Sequence, residues 1–160
     1  ALRALQKPEQ ALPHYDQQIA LLQSLPADKA GDVRIRRARA LARQHKGDAL
    51  LMLHRNEEAL SALDTAVSTS QSIAESDPGN TLHQADLANS QELLATCHGE
   101  LGRSLIAQGK PATIKAGLEH LIQGRDALRA SVALSKGDAS RLGKLKTLEE
   151  TILEVSKLLR

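Results

Sequence analysis

Asn56-Glu57-Glu58-Ala59-Leu60-Ser61-Ala62-Leu63-Asp64-Thr65-Ala66-Val67 decides the fold class. Ala59, Leu60, Leu63, Ala66 and Val67 recur at helical spacing and make one apolar stripe, with acidic and hydroxyl residues on the other side. Asn56 stands where a side-chain oxygen can cap a helix start. The same spacing recurs along the chain. One stripe runs Leu94, Cys97, Leu101, Leu105, another Leu118, Leu121, Ile122, and a third Leu145, Leu148, Ile152, Leu158. Each such segment buries one face and wets another.

Composition points the same way. The 160 residues are 41% apolar and 25% charged, with no Phe, no Trp and one Tyr. A core of Leu and Ala suits helices packed closely on helices, because Ala lets backbones approach and Leu fills the gaps. Strands would want β-branched and aromatic residues. The sequence therefore predicts an all-α fold.

Turn signals divide the chain. They fall at Gln6-Lys7-Pro8, Leu25-Pro26-Ala27-Asp28, His54-Arg55-Asn56, Asp77-Pro78-Gly79-Asn80, Gln108-Gly109-Lys110-Pro111 and Lys136-Gly137-Asp138. The intervals predict helices over 8–24, 28–53, 56–76, 81–107, 111–135 and 138–159. Pro8 and Pro111 suit a first helical turn, where the missing N–H has no partner to lose. Thr81-Leu82-His83-Gln84 has capping-box spacing. Gly79 and Gly137 sit just past helix ends, where a left-handed residue is wanted.

The helices form similar pairs. The second helix of each carries a small residue and a large one four later: Ala11 with Tyr15, Ala59 with Leu63, Gly117 with Leu121. Each ends in a turn, at Pro26, Pro78 and Gly137. The first helices carry Gly47 with Leu50 and Gly102 with Leu105. Glu100-Leu101-Gly102-Arg103-Ser104-Leu105, Asn56 to Leu63, and Ser76-Asp77-Pro78-Gly79-Asn80 with Asp86-Leu87-Ala88 resemble the tetratricopeptide-repeat family. The repeat here is longer than the family's roughly 34 residues. The small residues 11, 59 and 117 lie 48 and 58 apart. The extra lengths are near whole helical turns, so the apolar face keeps its direction. The family's aromatic positions are mostly Leu here.

The resemblance implies antiparallel helix pairs stacked as an extended repeat: 1–26 a partial repeat, 27–79 and 80–136 full repeats, 137–160 a capping helix. The chain begins inside a helical pattern without Met, which reads as a piece of a longer protein. Similar repeats occur in bacterial signalling proteins, including the tails of serine/threonine protein kinases. The family binds proteins or peptides along the concave side lined by first helices. Aligning Gly47 with Gly102 puts Gln44, Asp48 and Leu51, and Thr96, Gly99, Arg103 and Ile106, on that side. The Lys/Asn set that clamps chaperone C-termini is absent there.

Chemistry is sparse. None of the six histidines has metal-ligand spacing. Cys97 and His98 are adjacent and point about 100° apart on a helix, so Cys97 reads as a core residue and His98 as partly exposed. Gly109-Lys110-Pro111 lacks the glycine-rich lead-in of a phosphate loop. Glu149 and Glu150 are helix neighbours and do not face each other. No catalytic residue, cofactor or metal ligand is expected. Arg36, Arg39, Arg43 and Lys46 follow 3, 4, 3 spacing and would form a basic stripe about 15 Å long. The stripe suits an acidic or phosphorylated partner. It could serve a nucleic-acid-associated regulator, but a net charge of +2 and no aromatic stacking residue speak against nucleic acid. The plainer reading is a solvated face paired with Asp32 or Glu58. The lone Cys97 fits a reducing compartment such as the cytoplasm, although a kinase tail could also be periplasmic. No apolar run approaches the roughly 20 residues of a membrane span.

Overall fold

The computed structural model describes residues 7–26, 29 and 31–159. They form six helices: α1 (Pro8–Gln23), α2 (Val33–Met52), α3 (Asn56–Ser76), α4 (Thr81–Ile106), α5 (Pro111–Leu134) and α6 (Ala139–Lys157). No strand occurs among the described residues. The fold is all-α, as the apolar periodicity predicts. Five of the six helix starts fall within a residue of expectation. α2 begins at Val33 instead of 28, because Asp32 caps it by accepting from the Arg34 N–H. Asp28 itself lies outside the described residues, as do Gln6, Ala27 and Arg160.

Two caps differ from expectation. Asn80 caps α4, its Oδ1 accepting from the Leu82 and His83 N–H groups. Thr81 is thus the first helical residue, and Gln84 reaches back to the Ala74 and Pro78 carbonyls instead of closing a capping box. Asn56 is likewise the first residue of α3, and Arg55 precedes it without a side-chain cap. Pro8 and Pro111 do open their helices. Gly137 has φ +79° as a helix end requires, whereas the chain leaves α3 without a left-handed residue at Gly79.

Neighbouring helices pack on one another in order, and α2 also touches α4. The register follows from named contacts. Between α4 and α5, Gly102 meets Gly117, Ala95 meets Gly124, and Ser131 bonds the Ala88 carbonyl. One residue number rises as the other falls, so these helices are antiparallel. Gly47 against Leu63 and Arg36 against Ser72 give α2 and α3 the same sense. Alternate helices run parallel. Arg37 pairs with Asp86 and Gln44 with Ser90 between α2 and α4, and Arg141 pairs with Glu92 and Asn89 between α4 and α6. α6 therefore runs parallel to α4, as α4 runs parallel to α2.

The core is built of small residues and Leu. Leu50, Leu63, Cys97 and Leu121 are fully buried, with Ala59 and Ala66 beneath them. Two first-helix glycines each admit a second-helix leucine: Leu63 lies over Gly47 and Leu121 over Gly102. The two full pairs share this contact, which is the physical content of the repeated Gly and Leu positions.

Candidate functional site: a cleft between the fourth and sixth helices

α4 and α6 lie side by side but splay apart above α5, leaving a cleft of about 420 Å³. Glu92, Ala95, Thr96, Gly99 and Arg103 line it from α4. Their spacing of three and four keeps them on one helix face. Gly143, Lys144, Thr147, Leu148 and Thr151 line the α6 wall by the same rule, and Leu128 of α5 lies below. The floor is small because Ala95 and Gly99 contribute almost no side chain, and both are buried.

The walls are polar. The hydroxyls of Thr96, Thr147 and Thr151 donate to the carbonyls of Glu92, Gly143 and Thr147 at 3.0, 3.1 and 2.9 Å. Each oxygen keeps acceptor capacity for an incoming N–H. At one end Glu92 receives Arg141 at 2.8 Å and Lys144 as well. Burial pushes the Glu92 carboxyl up, but the bonds from Lys144 and Arg141 outweigh it and hold it below the usual range. That end carries one carboxylate against two cations and so keeps a net positive charge. At the other end Arg103 arches over Gly99, bonded to Glu100 at 2.7 Å, with more than half its side chain exposed. Its two terminal nitrogens lie 3.5 and 3.6 Å from where a Cβ on Gly99 would stand. The arrangement suits holding an extended chain: small floor, acceptors along the sides, and a guanidinium at one end.

The structure brings Thr96, Gly99 and Arg103 together in this cleft and separates them from the other expected concave residues. Gln44 is buried, and its Oε1 accepts from the Ser90 hydroxyl at 2.8 Å. It belongs to the seam between α2 and α4, not to a binding face. Leu51 packs against the core, and Ile106 packs against Gly117. Asp48 is half-buried on α2. Arg37–Asp86 and Gln44–Ser90 tie α4 to α2, whereas α4 and α6 flank the cleft. The α6 wall was not foreseen, because that helix reads as a cap. Its signal was Gly143, Thr147 and Thr151, small and hydroxyl residues four apart on one face.

The basic stripe does not form a free rail. Arg36 bonds Ser72, and Lys46 pairs with Asp16 at 2.6 Å. Arg43 and Lys46 line a second opening of about 390 Å³ beside Asp16, Glu58 and Thr65. Burial, then the Arg39 charge, lowers the Arg43 pKa. The expected acidic neighbours serve others: Asp32 holds Arg34, and Glu58 holds Arg55. Arg37, outside the stripe, takes Asp86.

Cys97 is a buried core residue, as expected, and its thiol donates to the Asn56 carbonyl at 3.2 Å. Burial pushes the thiol up to about 11, with Asp64 and Glu100 adding to the shift, so it is a poor nucleophile at neutral pH. His98 is not partly exposed but buried, at 8% accessibility. It turns towards α5, where its Nδ1 lies 3.0 Å from Nδ1 of His120. The sequence could not show this, because the two residues are 22 apart on different helices. No group of three His, Cys, Asp or Glu that could hold a metal occurs among the described residues. No helix among them is long and apolar enough to cross a membrane. No family model, curated protein or solved structure matches the chain.

Proposed function

We propose that this chain is a non-catalytic protein-interaction module that holds an extended segment of a partner protein in the α4–α6 cleft. The carrying observation is a small-floored cleft of about 420 Å³ between the parallel helices α4 and α6, with Arg103 exposed at its mouth. An extended peptide needs backbone clearance and hydrogen-bond acceptors. Ala95 and Gly99 give the first, and the threonine oxygens give the second. An acidic group on the partner would meet the half-exposed guanidinium of Arg103, which suits a carboxylate. Resemblance to the tetratricopeptide repeat supports the same reading, since that family binds along its first helices. The setting it suggests is a regulatory part of a larger bacterial signalling protein such as a serine/threonine kinase.

The test is a displayed library of short random peptides, selected on the wild-type chain and on Arg103→Glu. Wild type should enrich peptides with an acidic residue at a fixed place. Arg103→Glu should lose those peptides while keeping its helix content, because an exposed substitution usually changes stability by about 0.5 kcal/mol or less. Reversing a charge at an interface can cost several kcal/mol. Equal enrichment by both chains would remove the cleft as the binding site.

A further inference from the structure

We propose that His98 and His120 form a two-histidine site for a divalent transition-metal ion that clips α4 to α5. Their Nδ1 atoms face each other at 3.0 Å across the helix interface, with ring centres 5.3 Å apart. Imidazole nitrogens bind such ions at about 2.0–2.1 Å. Two nitrogens 3.0 Å apart then subtend about 94° at a shared ion. That is the cis edge of a square-planar or octahedral shell and is narrow for a tetrahedral one. The geometry therefore favours nickel(II) or copper(II) over zinc(II). Among the described residues no third His, Cys, Asp or Glu joins the pair, so water entering past the half-buried His120 would complete the shell.

The surroundings leave the rings free to ligate. Burial, reinforced by His120, lowers the His98 pKa, which keeps its ring neutral and able to ligate at neutral pH. Asp64 on α3 acts on His98 in the opposite sense, so negative charge reaches the site from the third neighbouring helix. In the metal-free pair one Nδ1 must carry the proton that the other accepts. On binding, that proton shifts to Nε2 of the same ring, so no net proton is released. Each ring must turn about 40° from its neighbour towards the ion, a change in a broad torsion. The ligands come from separate helices, so an ion bound there favours the packed state over the unfolded one.

The experiment titrates nickel(II) into the full 160-residue chain, stripped with chelator, and follows heat release and thermal melting. Wild type should bind one ion and melt at a higher temperature, reversibly with chelator. His120→Ala should weaken that binding by roughly tenfold or more, while His83→Ala, on another face, should leave it unchanged. Circular dichroism of His120→Ala guards against loss of fold. Copper(II) bound to wild type should show two nitrogen ligands by electron paramagnetic resonance, and fewer in a folded His120→Ala. Unaltered nickel affinity in His120→Ala, or no melting shift in wild type, overturns the site.

Discussion

The Cγ of Leu63 lies 2.5 Å from the place a Cβ on Gly47 would take. Leu63 is fully buried, and Cγ is the branching carbon, so the side chain cannot swing its tip aside. Gly47→Ala must push α2 and α3 apart or force Leu63 off its rotamer. Overpacking of this kind costs about 1–3 kcal/mol, against a helix-propensity gain of about 1 kcal/mol for removing a mid-helix glycine. The net loss should be up to about 2 kcal/mol by urea melting. A stability equal to wild type would show that the pair relaxes freely.

Gly102→Ala should cost more. Its Cβ would come 2.8 Å from the Gly117 carbonyl oxygen, and a Cβ on Gly117 would come 2.7 Å from the Gly102 carbonyl. Backbone meets backbone at this crossing, so only separation of α4 and α5 relieves the clash. Overpacking at the upper end, about 3 kcal/mol, less a propensity gain of about 1 kcal/mol, leaves an expected loss of about 2 kcal/mol. Melts of the two alanine variants side by side check the order.

These contacts show what the sequence carried. Gly47 and Gly102 interrupt helical patterns at a known cost, and each marks a crossing with the leucine of the following helix. The helix pairs were legible because their periodicity is local. The cleft was only half legible. Thr96 and Arg103 lie on one face of one helix and can be placed from its period. The α6 wall depends on how α4 and α6 come to flank one cleft, which the period of neither helix encodes. Gln44 shows the converse: its place on the helix was right, but α4 lies over it. The His98–His120 approach joins two helices and has no local signature.

Stability should depend on pH through His98. Burial and the nearby His120 ring lower its pKa in the folded state from the ordinary 6.5, and Asp64 only partly opposes them. The unfolded chain then takes up a proton that the folded chain resists. The contribution is complete above pH 6.5 and is lost as the pH falls below it. Urea midpoints measured in chelator should decline between about pH 7.5 and pH 5.5. His120→Gln, which removes one of the two opposing rings, should flatten that decline. A flat wild-type profile would sink this account.

Arg141 ties α6 to α4 through Glu92 and Asn89, with only 14% of its side chain exposed. Arg141→Ala removes two hydrogen bonds, one of them to a charged partner, while Lys144 still neutralises Glu92. We expect a loss of about 1–2 kcal/mol. Hydrogen exchange should rise in α6 more than in α2, because α6 buries only Val155 on its own account. Uniform acceleration along the chain would mean that Arg141 supports the whole stack instead of this joint.

Gly143→Leu separates folding from binding. A Cβ at Gly143 meets nothing within 4 Å, and its backbone is helical without a positive φ. A side chain there strains nothing, and replacing glycine inside a helix gains up to about 1 kcal/mol. The same side chain projects from the α6 wall into the cleft, opposite Thr96 and Gly99. An extended peptide would then lose its clearance. The variant should melt at or above the wild-type temperature and yet fail to retain the acidic peptides that wild type selects. Gly143→Ala, which adds one methyl group, should share the added stability and keep most of the binding. If Gly143→Leu binds those peptides as wild type does, they lie somewhere other than between α4 and α6. If it melts lower, α6 sits closer to α4 than the open space around Gly143 indicates.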